Sequence, residues 1–268
     1  MDRREFMSSS LAASGMLAAP CGLGQSSFGT APAAHEFYDL RHYQLISGPG
    51  VKLTDDYFAS ALIPALNRLG IGPVGAFAIY FGPRTPGYYL LLPSTKLEVL
   101  VTAELELAKD VDFLKAAAPF WEAPGATPPF ERVESTLLRA FDGFPKLTPP
   151  PSAAAKGKRI YQLRQYESPN NADHVKKVAM FHAGEFELFT RAGAFNVFYG
   201  DALIGPRLPN LTYMLSFPDM AALEASWEKF LADPDWKKLS TDPKWNLTPP
   251  IVSNITSLVL RPLPYSQV

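Results

Sequence analysis

Apolar and polar residues alternate along one stretch of the chain, and that stretch occurs twice. From Phe37 to Ile46 the alternation has a period of two and is rich in Tyr and Leu, which predicts a β-strand. Its core, Tyr38-Asp39-Leu40-Arg41-His42-Tyr43, returns 123 residues later (161 − 38 = 123) as Tyr161-Gln162-Leu163-Arg164-Gln165-Tyr166. The common pattern Tyr-x-Leu-Arg-x-Tyr predicts the same strand in two places.

Three further matches follow in the same order at offsets of 118, 123 and 121 residues. Matches in constant order at nearly constant spacing indicate an internal duplication. Solenoid repeats run about 20–50 residues, so a period this long predicts two copies of a small domain. The matching segments are Gly75-Ala76-Phe77 with Gly193-Ala194-Phe195, Gly82-Pro83-Arg84 with Gly205-Pro206-Arg207, and Thr127-Pro128-Pro129 with Thr248-Pro249-Pro250.

The pattern between these matches predicts the order β-α-β-β-α-β in each copy, which is the split βαβ arrangement of ferredoxin-like folds. In the first copy, Thr54 is predicted to cap a helix in which Phe58, Leu62 and Leu66 recur at helical spacing. The predicted fold class is therefore α+β, with two tandem ferredoxin-like units. The predicted boundaries are 35–145 for the first copy, 146–157 for a Pro/Ala linker and 158–265 for the second copy.

Residues 1–33 are predicted to be a targeting segment that is not part of the fold. Arg3-Arg4 precede a mildly apolar run rich in Ser, Ala and Gly, and Ala31-Pro32-Ala33 supplies the small residues of a cleavage site. The arrangement resembles a bacterial twin-arginine signal peptide, so we expect a periplasmic or secreted protein; a disordered cytoplasmic tail is the alternative. Cleavage would leave Ala34 as the first residue and remove Cys21, the single cysteine.

The composition is that of an ordinary globular protein, and it limits the kinds of molecule that the protein is expected to bind. Hydrophobic residues make up 47% of the chain, charged residues 19%, and the net charge is −1. This balance lacks the basic surface that nucleic-acid binding requires. No apolar run of 18 residues occurs after Ala34, so no membrane span is predicted. The four histidines and one cysteine show no metal-site spacing, so no metal centre is predicted.

The second copy resembles a known family. Its Tyr-x-Leu-Arg-x-Tyr strand, the segment Gly-Ala-Phe-Asn-Val-Phe-Tyr-Gly and the spacing Trp227-x-x-Phe230-x-x-Asp233-Pro234-x-Trp236 are similar to the NIPSNAP domain of the dimeric α/β-barrel superfamily. The first copy shares the strand and the glycine turns but lacks the Asp-Pro-x-Trp element. The resemblance implies that the two units pack sheet against sheet as an α/β barrel within one chain. Because helices cover only one face of each sheet, the two uncovered faces can pack against each other within the chain. A homo-oligomer is therefore possible but not required.

Polar residues at alternate positions of the repeated strand are the first candidates for a ligand pocket. If Leu40 and Leu163 face the helices, the other face lines the barrel interior. Two arginines and two tyrosines there could hold a carboxylate or an enolate and orient an aromatic ligand. The alternative is a polar seam whose members satisfy one another. The predicted set is Asp39, Arg41, Tyr43, Arg164 and Tyr166.

His182 is the remaining pocket candidate. It lies on the predicted helix Ala172–Ala192, on the same stripe as Val178, Phe186 and Phe189. Some members of the superfamily bind haem through a helical histidine, so the resemblance makes haem ligation at His182 possible. The alternative is a histidine at the edge of the core that is hydrogen-bonded to the backbone. No other cofactor is expected.

Four further residues receive less specific predictions. His42 alternates with Arg41 and is expected to face the helices or a sheet edge. His174 is expected to be solvated near the start of a helix. Arg84 and Arg207 lie in the repeated Gly-Pro-Arg loops, where they either fringe the mouth of a pocket or sit in surface turns.

These observations support two main classes of function. The first is a binding module that takes a small ligand or a protein partner through the barrel interior. The second is an enzyme similar to monooxygenases of the superfamily, either cofactor-independent or haem-dependent. A scaffold whose interior is filled by side chains is the third possibility. The sequence contains no catalytic signature that selects among them.

Overall fold

The computed structural model describes residues 34–268, so the predicted signal segment with Arg3 and Arg4 lies outside the described residues. The first half contains four strands, with helices after the first and the third. The strands are β1 (Phe37–Leu45), β2 (Gly75–Phe81), β3 (Gly87–Ser94) and β4 (Phe130–Ala140); the helices are α1 (Pro49–Tyr57), α2 (Ile63–Arg68), α3 (Leu97–Val101), α4 (Ala103–Leu107) and α5 (Val111–Trp121).

The second half repeats this order after a short helix in the linker. Its strands are β5 (Ile160–Glu167), β6 (Phe195–Ile204), β7 (Asn210–Phe217) and β8 (Asn254–Pro262); the helices are α6 (Pro151–Ala154), α7 (Asn171–Met180), α8 (Phe186–Ala192), α9 (Met220–Ala232) and α10 (Pro234–Thr241). In the part of the chain that the structure covers, no helix combines the length and the apolar character needed to cross a membrane.

A π-helical turn interrupts the first helical segment of each half at the same place in the repeat. The turns are Phe58–Leu62 and Phe181–Glu185, again 123 residues apart. The start of the first helix differs from its prediction. The helix of the first half begins at Pro49 rather than at Thr54, because the Thr54 hydroxyl donates to the carbonyl of Gly50, one turn earlier, at 2.8 Å and so lies inside the helix.

The eight strands close into one antiparallel barrel in the order β1-β3-β2-β8-β5-β7-β6-β4, with β4 returning to β1. Each half contributes four neighbouring strands in the ferredoxin-like order. The halves join through hydrogen-bonded pairs at β2–β8 and β4–β6, so every sheet edge is paired. The predicted fold, two ferredoxin-like units forming an intrachain α/β barrel, is therefore confirmed.

The repeated strands face the opposite way from the prediction. Leu40 and Leu163 point into the barrel interior together with Tyr38 and Tyr161, and all four are buried there. The polar positions that alternate with them lie outside the barrel wall, beneath the helices. Period two fixes which residues share a face but not which face turns inward. The leucines can fill the narrow interior, whereas the arginines find carboxylate and hydroxyl partners beneath the helices.

The interior is packed at its centre and closed at one end. Rings of Tyr38, Phe77, Tyr161 and Phe198, each fully buried, fill it from both halves. Near the start of β1 and β5, Leu147 and Val268 join this core, and the Val268 carbonyl accepts from Arg159 Nη2 at 3.1 Å. The opposite end, where the β2–β3 and β6–β7 loops lie, remains open.

Candidate functional site

The first-copy members of the predicted pocket form a closed network between the sheet and α4. Arg41 Nε donates to Asp39 Oδ2 at 2.6 Å, and the Arg41 guanidinium also binds both carboxylate oxygens of Glu104. Ser135 Oγ donates to the other oxygen of Asp39 at 2.5 Å. Asp39 and Arg41 are both buried, as is Tyr43. A cleft of about 570 Å³ lies over this network, but the charged groups beneath it already satisfy one another.

The second-copy members form a separate network under α9. The Arg164 guanidinium stacks 4.5 Å from the ring centroid of Trp227, and Arg164 Nε donates to the Tyr166 hydroxyl at 3.2 Å. That hydroxyl shares a hydrogen bond of 2.8 Å with the hydroxyl of Tyr213. Asp39, Arg41, Tyr43, Arg164 and Tyr166 therefore do not meet in the barrel interior; the geometry corresponds to the polar-seam alternative in each copy.

His182 has both ring nitrogens engaged within the chain. Nδ1 lies 2.9 Å from the carbonyl oxygen of Val178, and Nε2 accepts from the backbone N–H of Gly143 at 3.0 Å. These contacts assign the proton to Nδ1. The imidazole also stacks on Phe141, with ring centroids 5.4 Å apart. A histidine binds haem iron through one of its ring nitrogens, and both nitrogens of His182 are already hydrogen-bonded within the chain. His182 therefore does not fit the role of a haem ligand.

His174 is buried rather than solvated. Its side chain lies between α7 and β6, where Nε2 approaches Asp201 Oδ1 at 2.6 Å. Close by in the fold, Lys177 and Glu185 form a hydrogen-bonded ion pair that is almost fully buried. Burial raises the pKa of Glu185. The His174–Asp201 pair ties α7 to β6, and the Lys177–Glu185 pair ties α7 to the π-helical turn that follows it.

His42 stands at the open end of the barrel instead of facing the helices. It stacks on Tyr89 with ring centroids 4.6 Å apart and an angle of 10° between the planes. Its Nδ1 lies 3.8 Å from Glu134 Oε2, while its Nε2 is buried without a hydrogen-bond partner in the described structure. Burial lowers the pKa of His42 although Glu134 opposes that shift. The imidazole is therefore neutral near pH 7.

Arg84 and Arg207 lie at the rim of the same end, one from each copy. Both have a φ of 60°, so the two Gly-Pro-Arg loops share one left-handed turn. Arg84 Nη1 is 3.7 Å from Glu134, and Arg207 Nη1 is 3.8 Å from Glu167. Both side chains are half exposed, and Arg207 Nη1 also donates to Thr256 Oγ1 at 3.3 Å. Ion pairs this long and this exposed contribute little to stability. The two arginines therefore fringe a pocket mouth, one of the two predicted alternatives.

The open end contains a mouth that narrows into a recess. The mouth has a volume of about 370 Å³ and is lined by His42, Tyr89 and both rim arginines. The recess adds about 50 Å³ and reaches Leu40, Leu163 and Thr212 inside the barrel. Thr212 is 2% exposed, and its Oγ1 makes no hydrogen bond within residues 34–268. The recess therefore combines an apolar floor with an unsatisfied hydroxyl.

Equivalent positions of the two copies contribute unequal chemistry to this end. On β1, His42 pairs with Tyr89 of β3 and with Glu134 of β4. On β5, the equivalent residue Gln165 pairs with Thr212 of β7 and with Thr256 of β8. The first copy thus supplies an imidazole, a phenol and a carboxylate, whereas the second supplies an amide and two hydroxyls. The repeated Gly-Pro-Arg loops were the sequence signal that could have located this site.

The NIPSNAP family model matches residues 161–267, which correspond to the second copy. This result agrees with the strand and tryptophan motifs on which the sequence resemblance depends. No protein of curated function matches the chain in sequence.

Two solved structures share the barrel at low sequence identity. A candidate monooxygenase from Lactobacillus acidophilus NCFM is 10% identical, with a TM-score of 0.53 over 85% of this chain and 94% of that one. Another from Fusobacterium nucleatum subsp. nucleatum is 11% identical, with a TM-score of 0.52 over 86% and 94%. An uncharacterized NIPSNAP-like domain protein from Burkholderia xenovorans is 19% identical, with a TM-score of 0.35 over 40% and 88%. The first two show the fold of the whole barrel and leave its chemistry open.

Proposed function

We propose that the protein is a binding module that takes a small organic anion at the open end of its barrel. The observation that carries the proposal is a pair of buried polar atoms, His42 Nε2 and Thr212 Oγ1, which find no partner among the described residues and belong to residues that line the mouth and its recess. A buried polar atom without a partner destabilises the protein. A ligand that supplied the missing partners would offset that cost.

The rim indicates the charge of the ligand. Arg84 and Arg207 present guanidinium groups whose nearest carboxylates, Glu134 and Glu167, are 3.7 and 3.8 Å away, beyond hydrogen-bond distance. Guanidinium groups bind carboxylates through paired hydrogen bonds. The 370 Å³ mouth lies within the range of about 300–1,000 Å³ that is usual for small-molecule sites. The ring of Tyr89 offers a flat wall against which an aromatic body can stack.

Calorimetric titration of the full chain with phenylacetate tests this proposal. We expect saturable binding, and binding of the neutral analogue phenylacetamide that is weaker by about tenfold, because an ionic hydrogen bond is lost. Arg84→Gln and Arg207→Gln should each weaken phenylacetate binding by about the same factor. Arg139→Gln is the matched control, because Arg139 is also exposed and lies on β4 at the closed end, where it pairs with Asp142.

Two results would overturn the binding proposal. One is the absence of saturable phenylacetate binding. The other is binding that both rim variants leave at the strength of the wild type, since the anion would then be held elsewhere.

The second candidate function is an enzyme of the monooxygenase type. The observation that favours it is His42, whose pKa is lowered by burial and which stands beside Glu134 in a mouth large enough for an aromatic ring. Oxygen uptake with phenylacetate or 4-hydroxyphenylacetate that disappears in His42→Gln would favour the enzyme. Saturable binding without oxygen uptake would favour the binding module.

We also propose that the chain is exported through the twin-arginine route. The support is the Arg3-Arg4 pair followed by an apolar run and Ala31-Pro32-Ala33. Expression of the full chain in a bacterial host should give periplasmic protein whose mass corresponds to a start at Ala34. Replacement of both Arg3 and Arg4 by lysine should leave the precursor in the cytoplasm. Periplasmic protein of unchanged yield from that variant would exclude this route.

A further inference from the structure

We propose that the recess below the mouth recognises a hydroxyl group at the apolar end of the ligand, so that the ligand class is a hydroxylated aromatic carboxylate. This inference rests on the proposed binding function and specifies the ligand of the same site. The carboxylate would lie at the rim arginines, the ring in the mouth and the hydroxyl in the recess.

The size of the recess sets what can enter it. Its volume is about 50 Å³, against about 370 Å³ for the mouth. A water molecule accounts for about 30 Å³ of liquid. The recess therefore accepts a hydroxyl and the carbon that carries it, while a whole ring must remain in the mouth beside Tyr89.

The walls of the recess select a neutral polar group. Its floor is apolar and consists of Leu40, Leu163 and Leu258. Thr212 Oγ1 can both donate and accept a hydrogen bond, and no described residue uses either capacity. The charged groups Arg207 and Glu134 also line the recess but extend to the rim, where Arg207 is half exposed. A hydroxyl fits this environment, whereas a second anion would be desolvated against leucine side chains.

The repeat explains why the recess lies on the side of the second copy. Tyr89 and Thr212 occupy equivalent positions, paired with His42 and Gln165 respectively. The first copy fills its side of the barrel end with a phenol ring stacked on His42. The second copy has a threonine there and leaves space. A ligand with a hydroxyphenyl group would place in this space the same chemical group that Tyr89 provides on the other side.

The test compares 4-hydroxyphenylacetate with phenylacetate in calorimetric titrations of the full chain and of Thr212→Val. We expect the wild type to prefer the hydroxylated ligand by about fivefold, the effect of one net hydrogen bond. Thr212→Val should bind both ligands equally, at the strength with which the wild type binds phenylacetate. Because the substitution removes an unsatisfied buried hydroxyl at nearly constant volume, it should also raise the Tm of the free protein.

Thr54→Val is the matched control for stability. Thr54 is as buried as Thr212, but its hydroxyl is hydrogen-bonded to Gly50, far from the recess. This substitution should lower the Tm and leave the preference for 4-hydroxyphenylacetate intact.

The outcomes separate this inference from the function on which it rests. Equal binding of both ligands by the wild type would overturn the hydroxyl recognition alone. A preference that persists in Thr212→Val would also overturn it, because the hydroxyl would then be bound elsewhere. Failure of both ligands to bind would overturn the binding proposal and this inference together.

Discussion

Replacement of Phe77 by alanine tests whether the two copies share one interior core. Phe77 comes from the first copy and is fully buried, and its ring meets Tyr161 of the second copy edge-on, with centroids 4.8 Å apart. Loss of a buried phenylalanine side chain lowers the free energy of unfolding by about 3–5 kcal/mol. The hydrogen-bonded barrel wall limits collapse around the resulting cavity, so we expect a loss of about 4 kcal/mol.

The assay is urea unfolding of the full chain, followed by tryptophan fluorescence and by far-UV circular dichroism. Trp121 lies in the first copy and Trp227, Trp236 and Trp245 lie in the second. The reference protein and both variants therefore carry Trp121→Phe, so that the fluorescence reports the second copy while Phe77→Ala is in the first. A lower fluorescence midpoint therefore means that the copies unfold together. Phe81→Ala is the control, because Phe81 lies on the same strand but is 54% exposed and should change stability by less than about 0.5 kcal/mol. An unchanged fluorescence midpoint in Phe77→Ala, or two separate transitions in the wild type, would refute a shared core.

Three further predictions concern groups whose environment the structure defines. Lys177→Ala leaves the buried carboxyl of Glu185 without its partner, so the free energy of unfolding in urea should fall by about 3–5 kcal/mol. The double variant Lys177→Met with Glu185→Leu should recover most of that free energy. Trp227→Phe removes the indole donor to Gln162 Oε1 (2.7 Å) and weakens the stacking of Arg164, so the unfolding free energy should fall by about 1–2 kcal/mol. Because burial lowers the pKa of His42 against the opposing effect of Glu134, the unfolded chain binds more protons below about pH 6.5 and stability should fall as the pH decreases through that range. His42→Gln should flatten this part of the dependence of the urea midpoint on pH; an unaltered slope would contradict the assignment.

The duplication made the topology predictable. A repeat of constant offset fixes the element order of one copy from the other, and even the π-helical turns at Phe58–Leu62 and Phe181–Glu185 keep that offset. The direction of the repeated strand was not predictable in this way. Both faces of β1 are buried, with Leu40 in the barrel and Tyr43 under the helices. The alternation of residues along this strand therefore does not separate a core face from a solvent face. Closure of the barrel determines which face turns inward.

The open-end site was harder to predict because no single segment contains it. His42, Tyr89 and Glu134 come from β1, β3 and β4 and meet only through the register of the closed sheet. A histidine on a strand therefore gives no local signal of its partners. The predicted Arg/Tyr set, in contrast, was locally conspicuous because it repeats, and it repeats because each copy needs the same polar seam beneath its helices.

Closure of the duplicated sheet restricts where a ligand can be taken up. The barrel centre is occupied by aromatic rings from both copies, and Leu147 and Val268 close one end. Space remains at the end with the two Gly-Pro-Arg loops. Any ligand bound there must contact both copies, since Arg84 and His42 come from one and Arg207 and Thr212 from the other. The two copies are then free to diverge in chemistry at equivalent positions, provided that they keep the register that holds the barrel closed.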